Sequence, residues 1–346
     1  MNYTFNLEAL FLFISAAILI SILNILFKKL NFCLDNLTYS KHKRLSVSEK
    51  IPLTLGFILI IFSCNFFYAN FNTVVFYLSI FFFKLFSFLN LLNNAYKKFL
   101  FQFIFILTFV ISIDLTILET RISQLDNLLN YSAFSYFFTT FCLMILINGK
   151  NFIDGMNGLV IINSLLIFFV LILTADNYNL ELDKKLYLNF IHILSTMLIF
   201  NLFGKSFLGD SGSFLIGAII GYLIITFHHN NLAVSPFFVL LLLWYPAFEI
   251  LFSIIRKLIQ KKSPFKPDSY HLHQLIFLAF NKKREKKRYF NNLTSITINF
   301  FNFMFYFTGS FFIYSTKKLI VLIFLYSISY LVIYKFFYKF TKVTKK

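Results

Sequence analysis

Four polar clusters interrupt an otherwise apolar chain, and three of them hold residue types suited to phosphate or metal chemistry. The first, NGKNFIDGMNGLV, runs from Asn148 to Val160. Asn148, Asn151 and Asp154 are spaced i, i+3, i+6. On a helix they fall within roughly 120° of one another, so all three can face one cavity. Carboxamides read a sugar or a base by hydrogen bonding. A carboxylate can act as a base or sit beside a metal ion. Gly155 and Gly158 let the backbone turn or approach a ligand closely. For any one of these residues a polar helix end with an Asn/Gly cap is the competing reading. The set as a whole argues for a site, because polar groups at the edge of a membrane span are costly to place there.

The second cluster, NLFGKSFLGDSGSFLIG, starts at Asn201 and places Asp210 between Gly209 and Ser211, just ahead of an apolar run. An Asp or Ser there can simply cap a helix. It can also bind a hard cation, since Mg²⁺ takes one or two carboxylates together with substrate phosphate oxygens. The helix N-terminus itself suits a phosphate. Lys205 reads equally as a phosphate contact or as a loop charge. The third cluster, RKLIQKKSPFKPDSYHLHQLI, joins Arg256, Asp268, His271 and His273. An H-x-H pair is too sparse for zinc, and the surrounding basic residues fit a phosphorylated substrate better. The fourth, with Asp35, Lys41 and His42 ahead of Pro52 and Gly56, reads on its own as a solvated basic loop.

The elements that must position these residues are membrane spans. Of the 346 residues 59% are hydrophobic, with 53 Phe; a soluble domain is nearer 45–50% apolar. Continuous apolar runs of about 18 or more residues predict an all-α polytopic membrane protein, since a β-barrel would alternate every second residue. About eleven spans are expected, near 7–27, 51–68, 72–89, 99–117, 132–148, 158–175, 186–203, 213–228, 235–255, 295–314 and 319–338. The first has no Lys or Arg ahead of it, so a retained span is expected and not a cleaved leader. The three cysteines have neither metal-ligand nor disulfide spacing.

The net charge of +18 falls in alternate loops, as the positive-inside rule requires. That distribution argues against nucleic acid as a partner. It also predicts an outside N-terminus, a cytoplasmic C-terminus, and cytoplasmic loops at about 28–50, 90–98, 149–157, 204–212 and 256–294. All four polar clusters then lie on one face, within a single domain over 1–346. A membrane-embedded enzyme with a cytosolic substrate would show that pattern. A transporter would instead expose polar residues to both sides in turn.

These pieces, in this order, resemble the polyprenyl-phosphate N-acetylhexosamine-1-phosphate transferases, a family that includes the enzymes initiating peptidoglycan lipid, O-antigen and teichoic acid synthesis. The resemblance covers about Asp35 to His273. The family's N-x-x-N-x-x-D-G-x-x-G-L is matched by Asn148, Asn151, Asp154, Gly155, Gly158 and Leu159. Its F-x-G-D-x-G-S is matched by Phe207, Gly209, Asp210, Gly212 and Ser213. The His loop D-x-x-H-x-H-H is matched by Asp268, His271 and His273, and a looser early pattern by Asp35, Lys41, His42, Pro52 and Gly56.

What the resemblance implies is a bacterial inner-membrane enzyme working at the cytoplasmic face. It would move a sugar-1-phosphate from a UDP-N-acetylhexosamine to undecaprenyl phosphate, releasing UMP, with Mg²⁺ or Mn²⁺ as cofactor. Asp210 would hold the metal with Asn151, and Asp154 would orient the nucleophile. His271, His273 and Arg256 would bind phosphates. Asn148 and Asn201 would shape the nucleotide-sugar pocket, with His42 also on the substrate side. A homodimer is left open. Three departures stand out. The family's adjacent acidic pair after the third span is absent from SFLNLLNNAYKKFLFQ, where Asn90 is nearest. Asp114 is expected at the outer end of a span, on the wrong side to replace it. The third His of the His loop is Gln274, and the Asp expected after the Pro of span nine is Glu249.

Overall fold

A computed structural model describes residues 7–35, 50–66, 74, 77–78, 95–263, 268–281 and 286–343. In lipid every backbone N–H and C=O must be satisfied within the segment, so the apolar runs close into helices. The described helices are α1 (Leu7–Leu30), α2 (Leu55–Phe66), α3 (Ala95–Ser112), α4 (Ser123–Leu129), α5 (Ser132–Ile153) and α6 (Leu159–Tyr178). They continue as α7 (Lys184–Leu202), α8 (Gly209–Asn230), α9 (Pro236–Ile259), α10 (Leu272–Phe280), α11 (Lys287–Ser310) and α12 (Thr316–Val343). Among the described residues, seven helices are long and apolar enough to cross a membrane: α1, α5, α6, α7, α8, α9 and most of α12. The chain has the architecture of an all-α membrane protein.

The differences from expectation are local. The span placed at 51–68 begins as a helix only at Leu55. Ile51–Pro52 (β2) instead pairs antiparallel with Leu34–Asp35 (β1), Asp35 opposite Ile51. The extended pair ends in Pro52, whose ring removes a donor and disfavours a helix before it. The 72–89 span lies almost wholly outside the described residues, as do Asn90, Lys41 and His42. Part of the loop expected at 256–294 is helical: it contains α10 and the start of α11. Helix α11 is as long as these helices but carries more polar residues. Its Asn291, Thr294, Ser295, Asn299 and Asn302 are all buried. They recur at helical spacing, so the polar stripe faces protein and the apolar residues face outward.

Helix α8 lies at the centre. Its middle is almost completely buried, and it packs against α5, which in turn packs on α9. Small residues allow the contacts. A methyl group on Gly217 would sit 2.7 Å from the Ile147 Cα, and one on Gly149 would sit 2.5 Å from the Pro246 carbonyl oxygen. Close helix approach through small residues is how membrane helices gain packing energy where lipid is as apolar as Leu. The consequence for function is positional. The C-terminal turn of α5 is wedged between α8 and α9, so the first polar cluster must meet the other two.

Candidate active site

The last turn of α5 carries Asn148 and Asn151, and Asp154 is its C-cap, half-buried at φ −76°, ψ 47°. Its N–H donates to the Asn151 carbonyl at 3.2 Å. The chain then turns back into α6 through Gly158 at φ +77°, a left-handed conformation that favours glycine. Two carboxamides from distant helices hold this turn. Asn201, at the end of α7, accepts from the Gly158 N–H at 2.5 Å and donates to the Ser206 carbonyl at 3.1 Å. Asn291, at the start of α11, accepts from the Asn157 N–H at 2.6 Å. Both are buried, where leaving a backbone donor unpaired would cost about 1–3 kcal/mol.

The turn joins the second cluster through one serine. The Ser213 hydroxyl lies 2.8 Å from Asn151 Oδ1 and 3.0 Å from the Asp210 backbone oxygen. Asp210 itself is exposed in the first turn of α8. Asp210 thus puts an exposed carboxylate on a helix N-terminus whose backbone is joined through Ser213 to the Asn151 amide oxygen, and oxygen donors of this kind suit a hard cation completed by substrate oxygens. Among the described residues no group of three His, Cys, Asp or Glu is placed to hold a metal ion by itself; a carboxylate and an amide oxygen are hard oxygen donors of the kind Mg²⁺ takes together with substrate oxygens. Exposed Lys205 lies just upstream.

The third cluster also meets the turn. A Cβ on Gly155 would meet His273 Nε2 at 2.4 Å, so glycine is what admits the imidazole. His273 is 1% exposed, with Nδ1 lacking a hydrogen-bond partner among the described residues. Burial first, and the neighbouring His271 second, push its pKa down to about 3, so the ring is neutral. His271 stacks on it at 5.6 Å and meets the Phe152 ring edge-on at 5.4 Å. His271 is the N-cap of α10, and Gln274 completes a capping box by accepting from the His271 N–H at 3.3 Å. The departure from a third His therefore has a structural use here. Arg256 pairs with Asp268 at 2.8 Å. Burial would raise the Asp268 carboxyl, but the Arg256 hydrogen bond and charge outweigh it and hold it below the ordinary range.

The expected residues therefore fall into two groups. Asn151 and Asp154 end α5, Ser213 ties Asn151 to the turn that bears Asp210, His273 abuts Gly155, His271 meets Phe152, and Arg256 joins them through Asp268. Asn148 spends its amide on the Met144 carbonyl one turn back, at 2.8 Å, and Asn201 lies beneath the turn as a backbone clamp. Asp114 accepts from Tyr136 at 2.8 Å. Tyr136 is in the first turns of α5, 18 residues from Asp154, or about 27 Å along the axis at 1.5 Å per residue. Asp114 thus stands at the opposite end of the helix.

Several residues escaped sequence reasoning. Lys150 is fully buried and donates to Asn163 Oδ1 at 2.6 Å, tying α5 to α6; its position inside the first cluster was the available signal. The α11 stripe was the other, because Asn residues at helical spacing in an apolar run must face a partner. Asn299 also donates to the Leu159 carbonyl at 3.1 Å.

With this geometry in hand, comparison with known proteins gives a consistent answer. Residues 74–228 match the model of glycosyl transferase family 4. The undecaprenyl-phosphate α-N-acetylglucosaminyl 1-phosphate transferase of Thermotoga maritima is 31% identical over 155 residues, 45% of this chain and 46% of that one. The enzyme of the same name from Escherichia coli K12 is 33% identical over 153 residues, 42% and 41% of the two chains. That from Yersinia pestis is 30% identical over 152 residues, 42% of each. The alignments span less than half of each relative. The match with the family model includes the first two clusters and ends before α9, so the His loop and α9–α12 lie beyond it.

Proposed function

From the match of residues 74–228 to glycosyl transferase family 4, we propose that the chain is a member of that family and transfers a sugar-1-phosphate from a UDP-N-acetylhexosamine to undecaprenyl phosphate. UMP is released, and an envelope glycan is begun on a bacterial inner membrane. The observation that carries this reading is the convergence at the end of α5. Asn151 is joined through Ser213 to the N-terminus that bears Asp210, and Gly155 abuts His273. A nucleotide diphosphate sugar needs a cation site and phosphate-binding groups within reach of one pyrophosphate, and the turn contacts both clusters that could supply them.

In the reaction an oxygen of the lipid phosphate attacks the β-phosphorus. The new P–O bond forms as the bond to the UMP oxygen breaks, and UMP carries away the electron pair. Such transfer is catalysed mostly by positioning and charge neutralisation. Asp210, with Asn151 Oδ1, would hold the Mg²⁺, which supplies charge neutralisation to the pyrophosphate. Asp154 orients the acceptor phosphate, which is already ionised near neutral pH and needs no strong base. His271, at the positive end of α10, binds a phosphate oxygen. His273 is neutral and contributes a polar edge and not a charge. Arg256, committed to Asp268, anchors the His loop while remaining next to the site. An apolar cavity of about 280 Å³ lined by Phe138, Leu143, Leu146, Ile224 and Leu240 lies toward the far end of α5, near Glu119 and His228, and is separate from the polar site. Eleven spans, with the N-terminus outside, would put all these residues at the cytoplasmic face.

A second reading is favoured by one observation, the absence of Asp and Glu from SFLNLLNNAYKKFLFQ. It is a non-catalytic member that keeps the nucleotide or lipid-phosphate pocket. Detergent-purified protein given undecaprenyl phosphate, Mg²⁺ and a panel of UDP-N-acetylhexosamines separates the two. Metal-dependent UMP release, abolished by Asp210→Asn, establishes the transferase and identifies its sugar. Donor binding without release from folded protein establishes the second reading.

A further inference from the structure

Helix α12 lies outside the family match, yet it reaches the candidate site through a ladder of tyrosines at i, i+4, i+8. Tyr330 stacks near Tyr334 and Tyr334 near Tyr338, at 6.3 and 5.9 Å. The Tyr330 ring is held edge-on by Phe248 at 4.9 Å and Phe252 at 5.5 Å, both on α9. Its hydroxyl donates to Glu249 Oε2 at 2.6 Å. The other carboxylate oxygen, Oε1, lies 3.0 Å from His271 Nδ1 and accepts from the Leu272 N–H at 3.2 Å. Glu249 is 1% exposed. A carboxylate only accepts, so three donors converge on it and Nδ1 of His271 carries a proton. The opposite ring nitrogen, Nε2, is thereby turned toward Asp268 Oδ1, 3.5 Å away.

We propose that Tyr330 is a positioning residue for the site. Its hydroxyl fixes the Glu249 carboxylate, which holds the Nδ1 proton and the orientation of the His271 imidazole. The proposal deepens the transferase reading and rests on it for the role of His271. Charge-assisted hydrogen bonds of this length are strong and directional. With Tyr330 removed, one carboxylate oxygen is left buried and unsatisfied, and the group is free to rotate about its terminal torsion. An aspartate at 249 would draw the carboxylate back by about one C–C bond, roughly 1.5 Å, too far to keep both the tyrosine and the histidine.

The test is Tyr330→Phe, which keeps the ring and its ladder. Two readouts are taken on the full-length protein: UMP release with the donor identified above, and the long-range ¹⁵N spectrum of histidine-labelled protein. Wild type should show a single, hydrogen-bonded Nδ1–H signal for His271. Y330F should show that signal shifted and broadened. Its kcat/KM should fall about tenfold, the loss expected when a hydrogen bond to a charged group no longer orients a reacting side chain. Adding Y330F to Glu249→Gln should cost little more than Glu249→Gln alone, because both act through the same carboxylate. If Y330F does not fold, Glu249→Asp should produce the same spectral change. An unchanged His271 signal in the folded variants overturns the proposal, even if activity falls, because the tyrosine would then serve only packing. A shifted His271 signal in Y330F, with no UMP release from wild type with any donor, upholds the positioning link and overturns the transferase reading instead.

Discussion

Substituting Gly155 by Ala tests whether the α5 turn and the His loop form one site. A methyl group at 155 would stand 2.4 Å from His273 Nε2 and 2.9 Å from its Cδ2. Ordinary contact is about 3.5 Å, so one side must move by about 1 Å. The imidazole has little room to retreat, being 1% exposed and stacked on His271. Overpacking of this size costs about 1–3 kcal/mol of stability. A displacement of about 1 Å among positioning groups costs about 10²-fold in rate. Thermal unfolding and UMP release of G155A should show both losses. Placing G155A in a His273→Ala background removes the atoms it strikes, so the stability cost should largely vanish there. A coupling energy of about 1–3 kcal/mol is therefore expected for contacting residues. If G155A costs the same with and without His273, the two segments are not in contact and the site as described does not exist.

Asn201→Ala should destabilise the protein by about 1–3 kcal/mol, because it orphans the Gly158 N–H and the Ser206 carbonyl; chemical unfolding in mild detergent measures this. His273, neutral when folded with its pKa at about 3 and near 6.5 when unfolded, takes up a proton on unfolding between those values. Its contribution is complete above about pH 6.5 and is lost as pH falls toward 3. A His273→Asn variant should therefore show a flatter melting temperature over that window. Asp114→Asn should leave turnover within about twofold, since its carboxylate bonds Tyr136 at the far end of α5, whereas Asp154→Asn should reduce it by orders of magnitude.

Much of this was legible in the chain. Continuous apolar runs announced the helices, and the spacing of Asn151 and Asp154 put both at one helix end. What stayed hidden depends on which atoms meet in three dimensions. Asn201 looked like a pocket residue because its motif neighbours are, but its amide is consumed by two backbone groups. Asn148 likewise turns back to its own helix. Gln274 and Glu249 read as departures from a pattern, and their uses as a capping partner and as the acceptor for His271 appear only once α10 and α12 are placed. Tyr330 carried no signal at all, since a tyrosine in an apolar run is ordinarily packing. The Ile51–Pro52 ladder was missed because a short extended pair ahead of a span has no periodicity to detect.

The central claim is that phosphorus, and not only sugar, moves to the lipid. Donor labelled at the β-phosphate follows it directly. After incubation with undecaprenyl phosphate and Mg²⁺, the account predicts label in the organic phase as a lipid-linked sugar pyrophosphate, with unlabelled UMP in the water. Label retained in water-soluble UDP while sugar enters the lipid would mean simple glycosyl transfer and would contradict it.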